Sequence, residues 1–168
     1  MLALVYYSKT GKTKELVDFI SRRLRGLGIA TDVFMVKPAR DYYDKLLHLN
    51  PRILYESLSS KVVSIVGDEG FEPSRYGVVV IATPIWWGVA APPIYSFVIK
   101  YANAVKSPVY CIATADLRVD YAVKLRGVLE SQGFRVRECV TVRSLKEDAD
   151  RVNLLINGVA SEVASLAR

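Results

Sequence analysis

The sequence predicts an α/β fold in a single domain, residues 1–168, built on a doubly wound sheet of five parallel strands. Apolar strand-like runs and amphipathic helical patterns alternate five times, which is typical of a parallel sheet with right-handed crossovers and a helix layer on each face. Residues 76–82 are apolar and β-branched without interruption, as in strands covered on both faces. With 168 residues, 51% of them hydrophobic, the chain is long enough to bury such a core.

The individual elements follow from periodicity and from the residues that begin or end them. Apolar runs predict strands at 2–5, 29–36, 76–82, 108–114 and 134–142. Apolar stripes at helical spacing predict helices at 14–27, 41–49, 51–60, 93–101 and 121–132, and a last helix after the capping box at 144–147. Gly28 is a left-handed C-cap, Asn50 caps the short helix, and Pro92 suits a first helical turn. Residues 83–93 are predicted to be a loop, and 61–66 are β-prone.

The loop after the first strand, residues 8–13, is predicted to hold a phosphate. It joins a buried strand to a helix whose first amides have no partner within the helix and lie at the positive end of its dipole. Ser8, Thr10 and Thr13 add hydroxyl donors, and Gly11 lets backbone approach a ligand closely. The alternative is an ordinary capped turn without a ligand.

The end of this loop also resembles the nucleotide triphosphatase motif G-x-x-x-x-G-K-[ST]. That motif requires a glycine five positions before Gly11, where this chain has Tyr6. Residues 8–13, Ser-Lys-Thr-Gly-Lys-Thr, instead resemble the S/T-x-T-G-x-T loop of flavodoxins, and that resemblance implies a loop that holds the monophosphate of FMN. A phosphotransferase using Lys12 and Thr13 remains the alternative, and magnesium-dependent ATP hydrolysis would support it.

Two tryptophans, Trp86 and Trp87, follow the third predicted strand. A flat aromatic ligand needs such a surface to stack on, with backbone groups nearby to bond its polar edge. The alternative is that both indoles pack against the long connection at 37–76. In doubly wound sheets, ligands bind beyond the carboxyl ends of the strands where strand order reverses, so this loop and those at 8–13 and 114–117 should meet.

Residues 7–13, the second-loop run TPIWWG at 83–88 and the APP run at 91–93 together resemble the flavodoxin family, in particular short flavodoxin-like proteins with this second loop. The resemblance covers nearly the whole chain in element order and implies the strand order 2-1-3-4-5 and non-covalently bound FMN. It assigns FMN contacts to three loops, at Ser8, Lys9, Thr10, Gly11, Lys12, Thr13, Thr83, Pro84, Ile85, Trp86, Trp87, Gly88, Thr114, Ala115 and Asp116. No catalytic residue and no metal is expected, because the flavin carries the redox chemistry.

The resemblance implies one of two related functions. An electron carrier would exchange electrons with a redox partner protein. A small quinone or flavin reductase would oxidise NAD(P)H directly, usually as a homodimer. The chain has no dinucleotide fingerprint, because Gly26 and Gly28 lie at a helix end and not after a strand. A flavin-free α/β domain that binds a protein or a nucleotide is the third alternative.

The formal net charge is +6 and the pI is about 9.3. The basic residues are scattered, so we predict no nucleic-acid partner, whereas an acidic partner protein suits the charge. Because Lys9 and Lys12 lie in the phosphate loop, we hypothesise that the reduced flavin is less disfavoured than in acidic flavodoxins.

Location in the cell is predicted from the absence of targeting signals. The longest apolar run, residues 77–85, is too short to span a membrane, and no signal peptide is apparent. Cys111 and Cys139 are predicted to be buried free thiols, which fits a cytoplasmic location. No role is assigned to His48.

Overall fold

The computed structural model describes residues 1–42 and 50–166. Its strands are β1 Leu2–Tyr6, β2 Thr31–Met35, β3 Lys37–Pro38, β4 Ile65–Val66, β5 Val78–Trp86, β6 Val89–Ala90, β7 Pro108–Thr114 and β8 Arg135–Val142. Its helices are α1 Lys12–Gly26, α2 Pro51–Leu58, α3 Pro92–Tyr101, α4 Ala122–Ser131 and α5 Ala149–Leu166. Most of the helix predicted at 41–49 lies outside the described residues, as does His48.

Five parallel strands form the central sheet, in the order β2-β1-β5-β7-β8. Counting only these strands along the chain, the order is 2-1-3-4-5, which confirms both the doubly wound prediction and the order implied by the resemblance. The reversal of strand order lies between β1 and β5. The loop after β1 and the loop after β5 therefore meet at one edge of the sheet.

Both faces of the sheet are covered, which explains why the inner strands β1, β5 and β7 are apolar without alternation. The edge strands β2 and β8 also include charged residues. In β1, Ala3 and Val5 pack on one side while Leu2 and Leu4 pack on the other. The first side is closed by α2, α3 and α4, the second by α1 and α5. Within the described residues, no helix is both long and apolar enough to cross a bilayer.

The predicted loop at 83–93 is wrong in its first half. Strand β5 continues to Trp86 and turns back into β6, so that Trp86 pairs with Val89 in a short antiparallel hairpin. The two turn residues, Trp87 and Gly88, both have positive φ, 53° and 78°. These are the backbone angles of a type I′ turn, which suits the twist of a hairpin.

The connection between β2 and β5 has structure of its own. Helix α2 is capped by Asn50, whose side chain accepts from the Arg52 amide at 3.0 Å, as predicted, but the helix ends at Leu58. Within the β-prone stretch only β4 is a strand, and it pairs antiparallel with β3. The buried carboxylate of Asp68 accepts from Lys100 Nζ at 2.6 Å and from the Tyr101 hydroxyl at 2.8 Å, which fastens this connection to α3.

The prediction of free thiols is also wrong, because Cys111 and Cys139 form a disulfide between β7 and β8. An irregularity in β8 shifts the register: Val109 lies opposite Val136, but Tyr110 lies opposite Glu138. This one-residue shift brings Cys139 directly opposite Cys111, with the Cα atoms 4.4 Å apart. Such a separation suits a disulfide, and periodicity alone could not have revealed the shift.

Candidate functional site

The three loops predicted to bind a ligand line one cleft at the carboxyl edge of the sheet. Its enclosed part has a volume of about 100 Å³. The predicted residues all line it except Gly11, Thr83 and Gly88. One further lining residue, Ile53 of α2, was not predicted because its element belongs to the long connection.

The first loop turns sharply into α1 at Gly11. Its φ of 94° is a left-handed conformation that favours glycine, and its amide donates to Ser8 Oγ at 3.2 Å. The amide of Glu15 donates to the carbonyl of Gly11 at 2.9 Å. The amides of residues 12–14 come before this first hydrogen bond of the helix, so they have no carbonyl partner within the helix. They provide the anion-binding end of the helix.

The side chains of the first loop are tied to the third loop. Thr13 Oγ1 and Thr114 Oγ1 share a buried hydrogen bond of 2.7 Å. Above it, Lys12 Nζ lies 2.6 Å from Asp116 Oδ1 and donates to the carbonyl oxygen of Ala115 at 3.3 Å. These contacts hold the two loops in a fixed relation. The Thr13 hydroxyl is thus part of the scaffold, while Thr10 is exposed at the cleft.

The second lysine of the loop is also paired with a carboxylate. Lys9 Nζ lies 3.0 Å from Asp41 Oδ2, and Asp41 Oδ1 accepts from the Tyr42 amide at 2.8 Å. Both lysines of the first loop thus have an aspartate beside them, so their charge is partly compensated.

The two tryptophans have different surroundings. Trp86 is half-buried, and its ring forms T-shaped contacts with the rings of Tyr7 and Tyr42, with centroid distances of 5.5 and 5.4 Å. Trp87 is 47% exposed and lines the cleft from the hairpin turn. Its φ of 53° is unusual for a bulky side chain, and such conformations often mark functional positions.

A buried polar network supports Trp86 from behind. The Tyr42 hydroxyl donates to Glu56 Oε2 at 2.7 Å, and Arg52 Nε lies 2.9 Å from Glu56 Oε1. The guanidinium of Arg52 stands over the Tyr42 ring, 4.8 Å from its centroid. Burial and the hydrogen bond to Glu56 raise the pKa of Tyr42 far above its ordinary value. The predicted interaction between a tryptophan and the long connection therefore applies to Trp86.

Thr83 and Gly88 shape the second loop without lining the cleft. Thr83 is fully buried; its Oγ1 accepts from the Ala91 amide at 3.1 Å, which closes the base of the hairpin. Gly88 faces α4: a Cβ placed on it would stand 3.9 Å from Lys124 Nζ and from a ring carbon of Tyr121. In the described part of the chain, no three His, Cys, Asp or Glu side chains form a metal site.

Known structures share this architecture over nearly the whole chain. A Bacteroides eggerthii DSM 20697 protein, provisionally described as a flavoprotein, is 20% identical, with a TM-score of 0.70, covering 92% of this chain and 96% of that one. A Lactobacillus acidophilus NCFM flavoprotein in complex with FMN is 18% identical (TM-score 0.67; 90% and 97% covered). A two-electron reduced flavodoxin from Megasphaera elsdenii is 15% identical (TM-score 0.62; 96% and 99% covered).

No protein-family model and no curated protein sequence matches the chain. At these identities the structural likeness establishes the fold, which is flavodoxin-like.

Proposed function

We propose that the protein binds FMN in this cleft and acts as a flavodoxin-like redox protein. The observation that carries the proposal is the composition of the cleft: the amide end of α1 lies on one side and the exposed indole of Trp87 on another. An amide cluster suits a phosphate, and a flat aromatic surface suits an isoalloxazine ring. One ligand with both groups is a flavin mononucleotide.

The residues present fit this ligand. The amides of residues 12–14 and the Thr10 hydroxyl would hold the phosphate, with Lys9 and Lys12 adding positive charge. Trp87 would stack on the ring. Pro84 and Ile85 would line the ribityl chain and the ring.

When bound, the flavin supplies the electron-transfer chemistry. The protein's own residues orient it and set its environment. The Thr13–Thr114 and Lys12–Asp116 contacts keep the first and third loops at a fixed separation. The T-shaped contacts of Tyr7 and Tyr42 with Trp86 would hold the second loop in place beside Trp87. Pre-organisation of this kind lowers the entropic cost of binding a ligand.

The electron donor and acceptor follow one of two schemes. As a carrier, the protein exchanges electrons with a redox partner protein, for which the net charge of +6 favours an acidic one. As an oxidoreductase, it transfers electrons from NAD(P)H to a small quinone or flavin, as a homodimer. A cytoplasmic location is a separate part of the proposal, and the Cys111–Cys139 disulfide counts against it because disulfides are rare in the cytosol; cell fractionation tests it.

The experiment that tests the proposal is an FMN titration of the purified protein, followed by the visible spectrum and the fluorescence of flavin and tryptophan. We expect quenching of both fluorescence signals and saturation at micromolar FMN. NAD(P)H oxidation with a quinone then separates an oxidoreductase from a carrier, and size-exclusion chromatography reports the homodimer. An absence of binding at micromolar FMN would refute the proposal in favour of a flavin-free domain.

Two glycine variants make the titration specific to the cleft. Gly11 and Gly28 lie near opposite ends of α1, have positive φ of 94° and 78°, and have open space where a Cβ would stand. Alanine at either position adds a comparable backbone strain of about 1–2 kcal/mol. Gly11 does not line the cleft, but it is the N-cap of α1 and directly precedes the amides of residues 12–14 that would hold the phosphate. We therefore expect Gly11→Ala to disturb those amides and weaken FMN binding, and Gly28→Ala to leave binding unchanged at a similar loss of stability.

A further inference from the structure

The disulfide joins the two strands that support one wall of the cleft. Cys111 lies on β7, three residues before its end at Thr114, and the β7–α4 loop, residues 115–121, begins directly after that end. The first residues of this loop line the cleft. Cys139 lies on β8, which is an edge strand of the sheet and pairs with β7. The cross-link therefore lies at the base of the β7–α4 loop.

The far end of the β7–α4 loop is held by Thr141 of β8. This side chain is buried, and its Oγ1 accepts hydrogen bonds from the amides of Tyr121 and Ala122, both at 2.9 Å. The same hydroxyl donates to Asp120 Oδ1 at 2.7 Å. Thr141 follows Cys139 by two residues, so the two side chains lie on the same face of the strand. The loop thus begins on β7 and ends on a hydroxyl of β8.

The position of Thr141 depends on the register that the disulfide fixes. Beyond the irregularity in β8, Cys111 lies opposite Cys139 and Ala113 lies opposite Thr141. A one-residue slip of a strand moves each of its side chains to the opposite face of the sheet. A slip that removed the irregularity would turn Thr141 away from the β7–α4 loop and break its three hydrogen bonds. The S–S bond prevents such a slip covalently, whereas after reduction it is opposed by noncovalent contacts alone.

We propose that the Cys111–Cys139 disulfide is a redox switch that sets the affinity of the cleft for FMN. In the oxidised protein, Thr141 holds the β7–α4 loop in place for the ligand. In the reduced protein, β8 is free to change its register, the loop loosens and FMN binds more weakly. The effect on FMN rests on the proposed function, whereas the effect of reduction on the loop does not.

The chemical step is thiol–disulfide exchange with a dithiol. Cys111 is fully buried and Cys139 is partly exposed, so one thiolate of the dithiol attacks the sulfur of Cys139, and the Cys111 thiolate leaves and takes up a proton. The second thiolate of the dithiol attacks this mixed disulfide, and Cys139 leaves and is protonated. The protein gains two electrons and two protons, and the dithiol becomes a disulfide. Disulfides of the cytosol are usually transient or redox-sensing, as such a switch requires.

The first test measures amide hydrogen exchange in the flavin-free protein before and after reduction by dithiothreitol. The amides of Tyr121 and Ala122 should exchange at least about fivefold faster after reduction, relative to a reference amide. The reference is the amide of Val36, which donates to the carbonyl of Tyr6 at 2.8 Å on the β2 side of the sheet. An equal acceleration of all three amides would show a general loss of stability and would overturn the proposal.

The second test is an FMN titration of the oxidised and the reduced protein, followed by the quenching of flavin fluorescence, with circular dichroism to confirm the fold. The dissociation constant should rise by about 5- to 150-fold on reduction, the usual range of coupling between two sites. Coupling is reciprocal, so saturating FMN should shift the equilibrium between the protein and dithiothreitol toward the protein disulfide by the same factor. The absorbance of the flavin confirms that it stays oxidised throughout.

Two variants connect the disulfide to the cleft. Thr141→Val removes the hydroxyl and keeps the shape of the side chain, so it should bind FMN weakly in both redox states. Thr141→Ser keeps the hydroxyl and should retain the difference between the two states. A double variant, Cys111→Ser with Cys139→Ser, should bind FMN as weakly as the reduced wild type.

The proposal is overturned if the reduced wild type binds FMN as tightly as the oxidised form, if Thr141→Val keeps the full difference, or if the reduced protein unfolds. A failure of both redox forms to bind FMN refutes the proposed function. In that event the hydrogen exchange of Tyr121 and Ala122 still decides whether the disulfide controls the loop.

Discussion

Replacement of Trp87 by glycine should stabilise the fold and weaken flavin binding at the same time. Trp87 holds a left-handed conformation at φ 53°, which costs an L-residue about 1–2 kcal/mol. Glycine removes this cost. It also makes the unfolded chain more flexible, and that conformational entropy lowers the free energy of unfolding by about 0.5–1 kcal/mol. The difference between these two terms is a rise of about 0–1.5 kcal/mol in the free energy of unfolding.

The same substitution removes the exposed indole that lines the cleft. Stacking of a flat heteroaromatic ring on an aromatic side chain contributes about 1–3 kcal/mol, so the dissociation constant for FMN should rise by about 5- to 150-fold. Stability is measured by urea denaturation of the flavin-free protein, and affinity by the quenching of flavin fluorescence.

A matched control separates the two effects. Ser60 also has positive φ, 49°, and lies after α2, outside the cleft-lining residues. Ser60→Gly should raise stability by a similar amount and leave FMN binding unchanged. If Trp87→Gly binds FMN as tightly as the wild type, Trp87 does not stack on the flavin. If it lowers stability, the turn is held by contacts of the indole and the strain argument is wrong.

Three further expectations follow from the packing. The Cys111–Cys139 disulfide joins residues with a sequence separation of 28, so its reduction should lower the free energy of unfolding by about 3.6 kcal/mol and Tm by about 10 °C. If mass spectrometry finds two free thiols in the non-reduced protein, the disulfide is contradicted. Burial raises the pKa of Asp68, but the hydrogen bonds from Lys100 and a neighbouring tyrosine outweigh it and hold that pKa below its usual value. The stability that the ionised Asp68 contributes is fully present above its unfolded pKa, near 4, and is lost as pH falls through its lower folded pKa. Asp68→Asn should therefore flatten the acid limb of the pH–stability curve. Equal slopes in the variant and the wild type would refute the pairing. Tyr42→Phe leaves a buried carboxylate oxygen without its donor, and should cost about 1–3 kcal/mol and change tryptophan fluorescence; no change in either would contradict the network.

The sheet was predictable because its signals are local and agree with one another. Each inner strand of the central sheet, β1, β5 and β7, is a run of mainly apolar residues covered on both faces, as the contacts of Leu4 and Val5 on opposite faces show. The hairpin at Trp86 was missed because a proline, Pro84, usually ends a strand, whereas pairing with β6 keeps the chain extended beyond it. Tertiary pairing overrode local preference there.

The site was predictable to the extent that it lies at strand ends. Fold topology brings the loops after β1, β5 and β7 to one edge, so their residues line one cleft once the sheet forms. The contributions of Ile53 and Tyr42 depend on how a long connection folds over the sheet. Sequence spacing contains no information about that path. The local signals for an inward-facing helix there were the Asn50 cap and the apolar residue three positions later.

The charge of the first loop illustrates why composition alone misleads about a redox site. Two lysines in a phosphate loop suggest a strongly positive cleft that would favour the reduced flavin. In the folded protein, Lys12 is held by Asp116 at 2.6 Å and Lys9 lies 3.0 Å from Asp41. Opposite charges at such distances cancel most of each other's field beyond a few ångströms, especially where water screens them. Any shift in flavin potential should therefore come from the net charge of the whole chain, and should diminish with added salt, whereas a shift set by the loop lysines would persist.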